Sequence, residues 1–294
     1  MKRIRHVIEE KGLLLIGAVF RRLPRSLSLR LGESIGELVY WIGIRRSVAL
    51  ENLTQAFPDR SRNEIRRIAR RCYRHFGALL ADFSRLPTLN EREVAGIVEI
   101  EGIDILDSAL RSGKGGVVVS GHLGNWELMG SSAAILGYPV SYVVTGQENE
   151  RVDELMDCFR RKTGVQIIKR REATKGVLKA LRENRFVAIL SDQDAHEAGV
   201  FVPFFGRASS TPRGAALFAI RSGAALIFAE SYLQRSKKLK VIFQPVPRED
   251  LPEDFNTAVD ILTHRFTRML EDAVRRHPEQ WFWMHRRWKS RPPV

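Results

Sequence analysis

The sequence has few cysteines and no hydrophobic segment long enough to cross a membrane. Cys72 and Cys158 are the only cysteines among 294 residues. They are too few for a disulfide framework, and their spacing fits neither a zinc site nor a redox motif. The apolar segment at residues 12–20 is far shorter than the about 20 residues that a spanning helix needs, and no signal-peptide cleavage site follows it. These absences favour a reducing, cytoplasm-facing location.

Acidic residues are scarce relative to basic ones. The chain has 48 Lys and Arg against 34 Asp and Glu, a net charge of +14, and residues 1–75 carry 17 basic against 7 acidic residues. A basic protein is suited to a partner rich in phosphate or carboxylate, such as nucleic acid or an anionic membrane. Within this segment, Leu31, Ile35, Leu38 and Ile42 recur at helical spacing. The combination predicts a helix in the membrane interface, and packing of the same stripe on the protein's own core is the alternative.

The pattern changes near Pro87, which predicts an N-terminal helical membrane-associating region at 1–86 and an α/β domain at 87–294. In the second part, predicted strands alternate with predicted helices. The strands are 116–120, 140–144, 165–168, 186–190, 225–232 and 239–245, and the helices are 126–136, 150–162, 172–183, 212–221 and 256–276. The predicted fold is therefore an α/β fold, a mostly parallel sheet covered by helices on both faces, with an N-terminal amphipathic helical membrane anchor. Ligands of such sheets bind at the carboxyl ends of the strands.

A histidine and an acid follow the first long apolar strand. The segment GHLGNWE at 121–127 places His122 on the predicted strand-to-helix turn and Glu127 in the first turn of the helix, while Gly121 and Gly124 allow a tight turn. The His, four residues, acid pattern is common by chance, so its place at the ligand-binding edge carries the argument. Acyl transfer to a hydroxyl needs a base and a group that holds the base, and His122 and Glu127 can supply both. A structural histidine at the helix start is the alternative. Because no G-x-S-x-G motif is present, direct attack by the acceptor hydroxyl on a thioester is favoured over a serine acyl-enzyme.

A second polar segment follows the strand at 186–190. Asp192, Asp194 and His196 alternate as metal ligands do, although a hydrogen-bonded loop is favoured over a metal site. The apolar stretch FVPFF at 201–205 fits either an acyl-chain tunnel or ordinary core. Thr211 before Pro212 is typical of a helix N-cap with proline at the first helical position.

Two basic segments complete the set of candidates. The run of Lys169, Arg170 and Arg171 directly follows the strand at 165–168, where a guanidinium could bind a phosphate. A solvated charge run is the alternative. Near the end, residues 281–289 interleave aromatic and cationic side chains. This mixture is compatible with a membrane interface, with base stacking or with cation-π packing inside the fold.

Together these segments resemble the lipid A biosynthesis lauroyl and myristoyl acyltransferases. The resemblance rests on GHLGNWE at 121–127, SDQDAHEAGVFVPFFGRASSTPRG at 191–214, PEQWFWMHRRWKSRP at 278–292 and RRSVALENLTQAFPD at 45–59, and it covers nearly the whole chain. It implies a glycerolipid-acyltransferase-like fold that transfers an acyl chain from acyl carrier protein to a hydroxyl of the Kdo-bearing lipid A precursor. His122 and Glu127 match the family's catalytic pair. Candidate substrate-binding residues in or beside the motifs are Arg170, Asn125, Gln193 and Arg213.

The resemblance also implies partners and a location. The expected partners are an anionic glycolipid acceptor, acyl carrier protein and the cytoplasmic face of the inner membrane, with no nucleic acid, metal or cofactor beyond the thioester co-substrate. A related actinobacterial branch acylates phosphatidylinositol mannosides from acyl-CoA, so this reaction is the alternative. A basic nucleic-acid-binding protein would explain only the charge, and the sequence contains no recognisable binding module. A catalytically inactive membrane scaffold is the third possibility.

Overall fold

Four helices form the N-terminal part of the chain in the computed structural model, which describes residues 2–292, with side chains from residue 4 onward. They are α1 (Lys2–Arg22), α2 (Arg25–Ile42), α3 (Arg46–Ala56) and α4 (Arg62–Arg85). The first residue of α4 is fixed by a capping box, in which the Ser61 hydroxyl accepts from the Glu64 backbone N–H and the Glu64 carboxylate accepts from the Ser61 N–H.

Helices α2 and α4 cross with their backbones in contact. A Cβ atom added to Gly36 would lie 2.0 Å from the carbonyl oxygen of Tyr73, and one added to Gly77 would lie 2.0 Å from the carbonyl oxygen of Gly32. Only glycine leaves room for this approach. Among residues 2–292, no helix is both long enough and apolar enough to cross a membrane.

The rest of the chain builds a seven-stranded sheet, its covering helices and a small hairpin. The strands are β1 (Val98–Glu101), β2 (Gly116–Ser120), β3 (Val140–Val144), β4 (Gln166–Lys169), β5 (Phe186–Leu190), β6 (Val200–Phe204), β7 (Arg207–Thr211), β8 (Ala225–Leu233) and β9 (Leu239–Pro245). The helices are α5 (Glu91–Ile97), α6 (Ile103–Arg111), α7 (Trp126–Ile135), α8 (Glu150–Lys162), α9 (Ala173–Arg182), α10 (Gly214–Ser222) and α11 (Phe255–Arg276). The strand order in the large sheet is β1-β9-β8-β2-β5-β3-β4. Every neighbouring pair is parallel except β8 and β9, which confirms the predicted mostly parallel sheet.

Hydrophobic cores on both faces of the sheet come from alternation along its strands. In β2, Val117 and Val119 pack in one core with side chains of α3, α4, α9, α10 and α11, whereas Val118 packs in the other with α6 and α7. Successive side chains of a strand point to opposite faces. A strand buried on both faces therefore reads as a continuous apolar run, which is why GVVVS was identifiable in the sequence.

Two parts of the fold differ from the sequence-based prediction. Strand β1 was not predicted. The segment at 200–211 forms the antiparallel hairpin β6–β7, in which Thr211 pairs with Val200, so α10 begins only at Gly214. The prediction that Thr211 caps a helix is therefore wrong, because that residue is the end of a strand. Within the FVPFF stretch, Phe204 and Phe205 are buried in the main core, which favours ordinary core at these two positions.

Candidate active site

Two adjacent parallel strands bring His122 and Asp192 together. Strand β2 ends at Ser120 and β5 ends at Leu190, and these two residues are paired in the sheet. The Ser191 backbone N–H donates to the Ser120 carbonyl and extends the ladder by one step. His122 and Asp192 each lie two residues beyond the end of their strand. They occupy equivalent positions at the carboxyl edge of the sheet, where ligands of α/β folds bind.

The Asp192 carboxylate fixes the orientation of the His122 ring. Nδ1 of His122 lies 2.7 Å from Oδ1 of Asp192, and the backbone N–H of His122 donates to Oδ2 at 2.7 Å. An ionised carboxylate can only accept, so the imidazole proton is on Nδ1 and Nε2 keeps its lone pair. The sequence predicted Glu127 as the group that holds the imidazole, and in the structure this contact is made by Asp192.

Asp192 is buried and held by several donors. Besides its two bonds to His122, it accepts from the indole N–H of Trp281 at 2.8 Å. Burial raises the pKa of Asp192, but the positive charge that His122 can carry and the hydrogen bonds from His122 and Trp281 outweigh it and lower the pKa to about 2. Because the folded pKa is lower than the usual one, the stabilisation is complete above pH about 4 and is lost as the pH falls through about 2. The acceptor for Nδ1 is therefore ionised at neutral pH.

Aromatic side chains border the free side of the imidazole. The His122 side chain is 23% exposed, and its ring centroid lies 4.9 Å from that of Trp126 and 6.2 Å from that of Phe282. Phe76 contacts both of these rings, at 5.9 Å and 5.0 Å between centroids. The part-exposed imidazole thus lies beside an apolar wall, an arrangement that suits a substrate with a hydrocarbon chain.

The loop between His122 and Glu127 is fixed from several sides. Gly124 has a φ of 62° and approaches the Ser231 carbonyl so closely that an added Cβ atom would lie 1.9 Å from it, so the predicted need for glycine at this position is confirmed. The Gly124 carbonyl accepts from Nε2 of His75 at 2.9 Å. Burial lowers the pKa of His75 to about 4, so this histidine is neutral and serves as a structural donor.

Asn125 is a buried structural residue of the same loop. Its side chain caps α7 by accepting from the Leu128 N–H at 3.0 Å, and its amide nitrogen donates to Asp82 at 3.3 Å. Asp82 is in turn bound by both ends of the Arg25 guanidinium, at 2.8 Å each. The active-site loop is thereby connected through α4 to the first residue of α2.

Glu127 belongs to a buried ionic cluster. Its carboxylate accepts from Nε of Arg160 at 3.0 Å and from Nη2 at 2.5 Å. Arg160 also contacts Asp157 at 3.2 Å, and Lys169 bridges Asp157 and Asp153 at 2.6 Å each. Burial lowers the pKa of Arg160, but the charge and hydrogen bonds of Glu127 outweigh this and raise it. Glu127 is therefore held by Arg160 in the first turn of α7, and its catalytic role stays a prediction.

Removing the cation of this cluster should cost far more stability than removing its neighbour in sequence. We expect Arg160→Met to lower the free energy of unfolding by about 3–5 kcal/mol, because Glu127 is left buried without its cation. Asp157 keeps its contact with Lys169. Arg161 is nearly half exposed and pairs with Glu154 at the surface, so Arg161→Met is the matched control and should change stability little. Urea unfolding of both variants measures the difference. Equal effects would contradict this account of the cluster.

Each of the other three predicted substrate-binding residues follows a strand. Gln193 comes after β5 and is half-buried, Arg213 comes after β7 and is half-buried, and Arg170 directly follows β4 and is exposed. Their assignment to substrate stays a prediction. Lys169, the residue before Arg170, pairs with Asp153 and Asp157.

The segments suggested as metal ligands or as an aromatic surface have internal partners. Asp194 contacts His196 at 3.1 Å and accepts from Ser290 at 2.9 Å, which fits the hydrogen-bonded loop. Trp281 and Trp283 are buried in the core. These two tryptophans therefore pack inside the fold, one of the three uses considered for the C-terminal aromatic residues.

In the sequence, Asp192 was only one of three alternating residues considered as metal ligands. The signal that could have assigned it to His122 is positional, since each residue is the second after a buried parallel strand. Using that signal requires β2 and β5 to be neighbours. They are separated by about 70 residues and two intervening strands, so their adjacency cannot be read from the chain order.

His122, with a buried carboxylate on Nδ1, lies at the carboxyl edge of a parallel sheet beside an apolar wall, an arrangement suited to a general base. Residues 9–290 match the family model of the bacterial lipid A biosynthesis acyltransferases. The chain is 27% identical over 274 residues to the lipid A biosynthesis palmitoleoyltransferase of Escherichia coli (strain K12), covering 92% of this chain and 88% of the relative.

Two further relatives are named for other activities. The lipid A biosynthesis lauroyltransferase of the same strain is 26% identical over 275 residues, covering 92% of this chain and 88% of the relative. A phosphatidylinositol mannoside acyltransferase of Mycobacterium tuberculosis (strain ATCC 25618 / H37Rv) is 27% identical over 220 residues, covering 72% and 67%. Because the family model spans nearly the whole chain, this protein belongs to the bacterial lipid A biosynthesis acyltransferase family. It is an acyltransferase, as the resemblance implied.

Proposed function

We propose that the protein transfers a fatty acyl chain from an acyl carrier protein thioester to a hydroxyl of a Kdo-bearing lipid A precursor at the cytoplasmic face of the inner membrane. The observation that carries the proposal is the His122–Asp192 pair in a chain of this family. In this pair, the general base is the imidazole of His122, whose side chain is part-exposed. The apolar wall of Trp126, Phe282 and Phe76 supports a hydrocarbon chain beside it.

In the proposed reaction, Nε2 of His122 takes the proton of the acceptor hydroxyl as its oxygen attacks the thioester carbonyl carbon. The new carbon–oxygen bond gives a tetrahedral intermediate, which collapses by breaking the carbon–sulfur bond. The thiolate of the carrier leaves and receives the proton from Nε2. Asp192 stabilises the imidazolium between the two proton transfers, as the acid does in other histidine-dependent acyl transfers. Glu127 is the second member of the catalytic pair that the resemblance implies, with His122. Arg160 fixes it on α7, at the end of the active-site loop.

The exposed apolar surface supports a membrane location. Of the thirteen large hydrophobic side chains that are exposed in the described part of the chain, eleven lie between residues 4 and 44 on α1, α2 and the turn after α2. They include Leu38, Trp41 and Ile42, which are 59%, 61% and 64% exposed. Such a surface beside many Lys and Arg residues is typical of a helix pair in the membrane interface. We propose that this surface is the anchor predicted from the sequence.

The acceptor and donor are tested together by product analysis. The purified protein in detergent is incubated with acyl carrier protein thioesters of several chain lengths and a Kdo-bearing lipid A precursor, and lipid mass is followed by mass spectrometry. We expect the precursor to gain the mass of one acyl chain. A mycobacterial relative is named a phosphatidylinositol mannoside acyltransferase. The second pair of substrates to test is therefore phosphatidylinositol mannoside as acceptor and acyl-CoA as donor. Product from that pair alone would contradict the proposed acceptor and donor and leave an acyltransferase on another glycolipid.

A further inference from the structure

A cationic groove of about 700 Å³ lies between α3, β7 and the C-terminal segment, outside the site described above. One wall is made by Glu51, Asn52 and Gln55 of α3, and another by Arg207 and Ala208 of β7. The third wall is the segment 286–292, which contributes Arg286, Lys289 and Arg291. Four cations against one acid thus line this groove.

The C-terminal segment is fixed at four residues, so the backbone that carries its cations has a defined position. The Asn52 amide donates to the carbonyls of Trp283 and His285, at 2.8 Å and 2.6 Å. Arg287 is buried and donates to the Ser210 carbonyl at 2.6 Å. The Ser290 hydroxyl donates to Asp194 at 2.9 Å. Arg286 and Lys289 lie between these attachments and Arg291 follows the last one; all three are exposed.

The four groove cations have no acidic partner in the part of the chain that the structure describes. Arg207 lies 5.9 Å above the Trp288 ring, and no ion pair joins Arg207, Arg286, Lys289 or Arg291 to a carboxylate among residues 4–292. Many other arginines of the protein are paired, such as Arg74 of α4 with Glu33 and Glu37. Cations that are held in place and left unneutralised attract an acidic partner and steer its approach.

The composition of the groove favours a water-soluble partner over a membrane. A membrane-surface site combines cations with exposed apolar side chains, as α1 and α2 do. No large hydrophobic side chain that is exposed, within residues 4–292, lines the groove. Its uncharged lining combines the amides and hydroxyl of Asn52, Gln55 and Ser290 with Ala208, Pro292 and the half-buried Trp288.

The same segment connects the groove to the catalytic histidine. Trp281 donates to Asp192, and the Phe282 N–H donates to the His122 carbonyl at 3.1 Å. A partner bound at 286–291 would therefore contact the same segment whose first residues, Trp281 and Phe282, bind Asp192 and His122.

We propose that this groove is the docking surface for an acidic acyl carrier protein, whose flexible thioester arm then reaches His122. The inference rests on the proposed carrier-protein donor and adds where that donor binds.

Charge reversal in the groove tests the proposal. In the full-length protein, the double variant Arg286→Glu, Lys289→Glu should raise the KM for acyl carrier protein thioester by about 10-fold or more and leave kcat unchanged, because rim charges act mainly on association. The KM for the same acyl chain on pantetheine, which lacks the protein, should not change. The matched control Lys175→Glu, Lys179→Glu makes the same charge change on α9, outside the groove, and should leave both KM values unchanged. Direct binding of unacylated acyl carrier protein is measured by fluorescence anisotropy.

The outcomes separate this inference from the proposed reaction. Loss of carrier binding in the groove variant, with none in the control variant, supports the docking surface. If the lipid A precursor is not acylated in the same experiments, that result contradicts only the proposed acceptor. An unchanged KM for the carrier thioester overturns the docking surface. So does a rise in the KM for the lipid acceptor with either donor, which would make the groove a lipid phosphate site. Wild-type protein that does not bind the carrier and uses acyl-CoA overturns both the docking surface and the proposed donor.

Discussion

Replacing His122 by alanine should lower the rate of acyl transfer by about 10²–10⁴-fold, the range associated with loss of a general base. The reason is that Nε2 of His122 is the group whose lone pair is left free by the Nδ1 contact with Asp192. The side chain is only part-buried, so its removal should leave the fold and vesicle binding unchanged. Initial rates, circular dichroism and vesicle sedimentation measure the three properties.

His264 provides a matched histidine control. It is exposed on α11, and His264→Ala should transfer acyl chains at the wild-type rate. If His122→Ala keeps activity within a few-fold of wild type, His122 is not the base. Loss of vesicle binding together with activity would instead indicate a structural role for this residue.

Replacing Asp192 by asparagine should lower kcat by about 10³–10⁴-fold, as the same carboxylate-to-amide change does in catalytic triads. An amide can donate to Nδ1 and thereby stabilise the tautomer with its proton on Nε2, which cannot act as a base. It also lacks the negative charge that stabilises the imidazolium. Both effects act through the imidazole, so nitrogen NMR of His122 should show the tautomer change in this variant.

Glu127→Gln distinguishes the two acids that the sequence and the structure associate with His122. Glu127 contacts Arg160, so its amide variant should leave the tautomer of His122 unchanged, whatever it does to the rate. A tautomer change in Glu127→Gln together with none in Asp192→Asn would contradict the assignment of Asp192. It would restore the direct pairing predicted from the sequence.

The architecture of the sheet could be predicted because its strands are buried on both faces. Strands β2, β3, β5 and β9 have the predicted bounds, since continuous β-branched and apolar runs of this length have few other uses. Strand β1 (VEIE) lies at the edge of the sheet and alternates charged with apolar residues, so it gave no such signal. The β6–β7 hairpin was missed because Thr211 and Pro212 also fit the start of a helix.

The candidate site was predicted in position but not in its pairing. His122 lies at the strand end where it was expected, and its resemblance to a family motif directed attention to Glu127, five residues along. Hydrogen-bond partners, however, depend on which strands are neighbours and on where buried cations lie. Asp192 reaches His122 because β5 lies beside β2, and Glu127 faces Arg160 because α8 packs near α7. Neither relation is local in the chain.

The contact between Arg25 and Asp82 has a consequence for how the chain can be shortened. Asp82 is almost completely buried, and its cation comes from the start of α2, next to the proposed membrane surface. A protein lacking residues 1–44 would keep this carboxylate without its cation and would expose the glycine contact face of α4. Removing the proposed membrane-facing helices to gain solubility would thus remove Arg25, the cation bound to Asp82. Because Asp82 accepts a hydrogen bond from Asn125, the shortened protein would also have a less firmly held loop between His122 and Glu127.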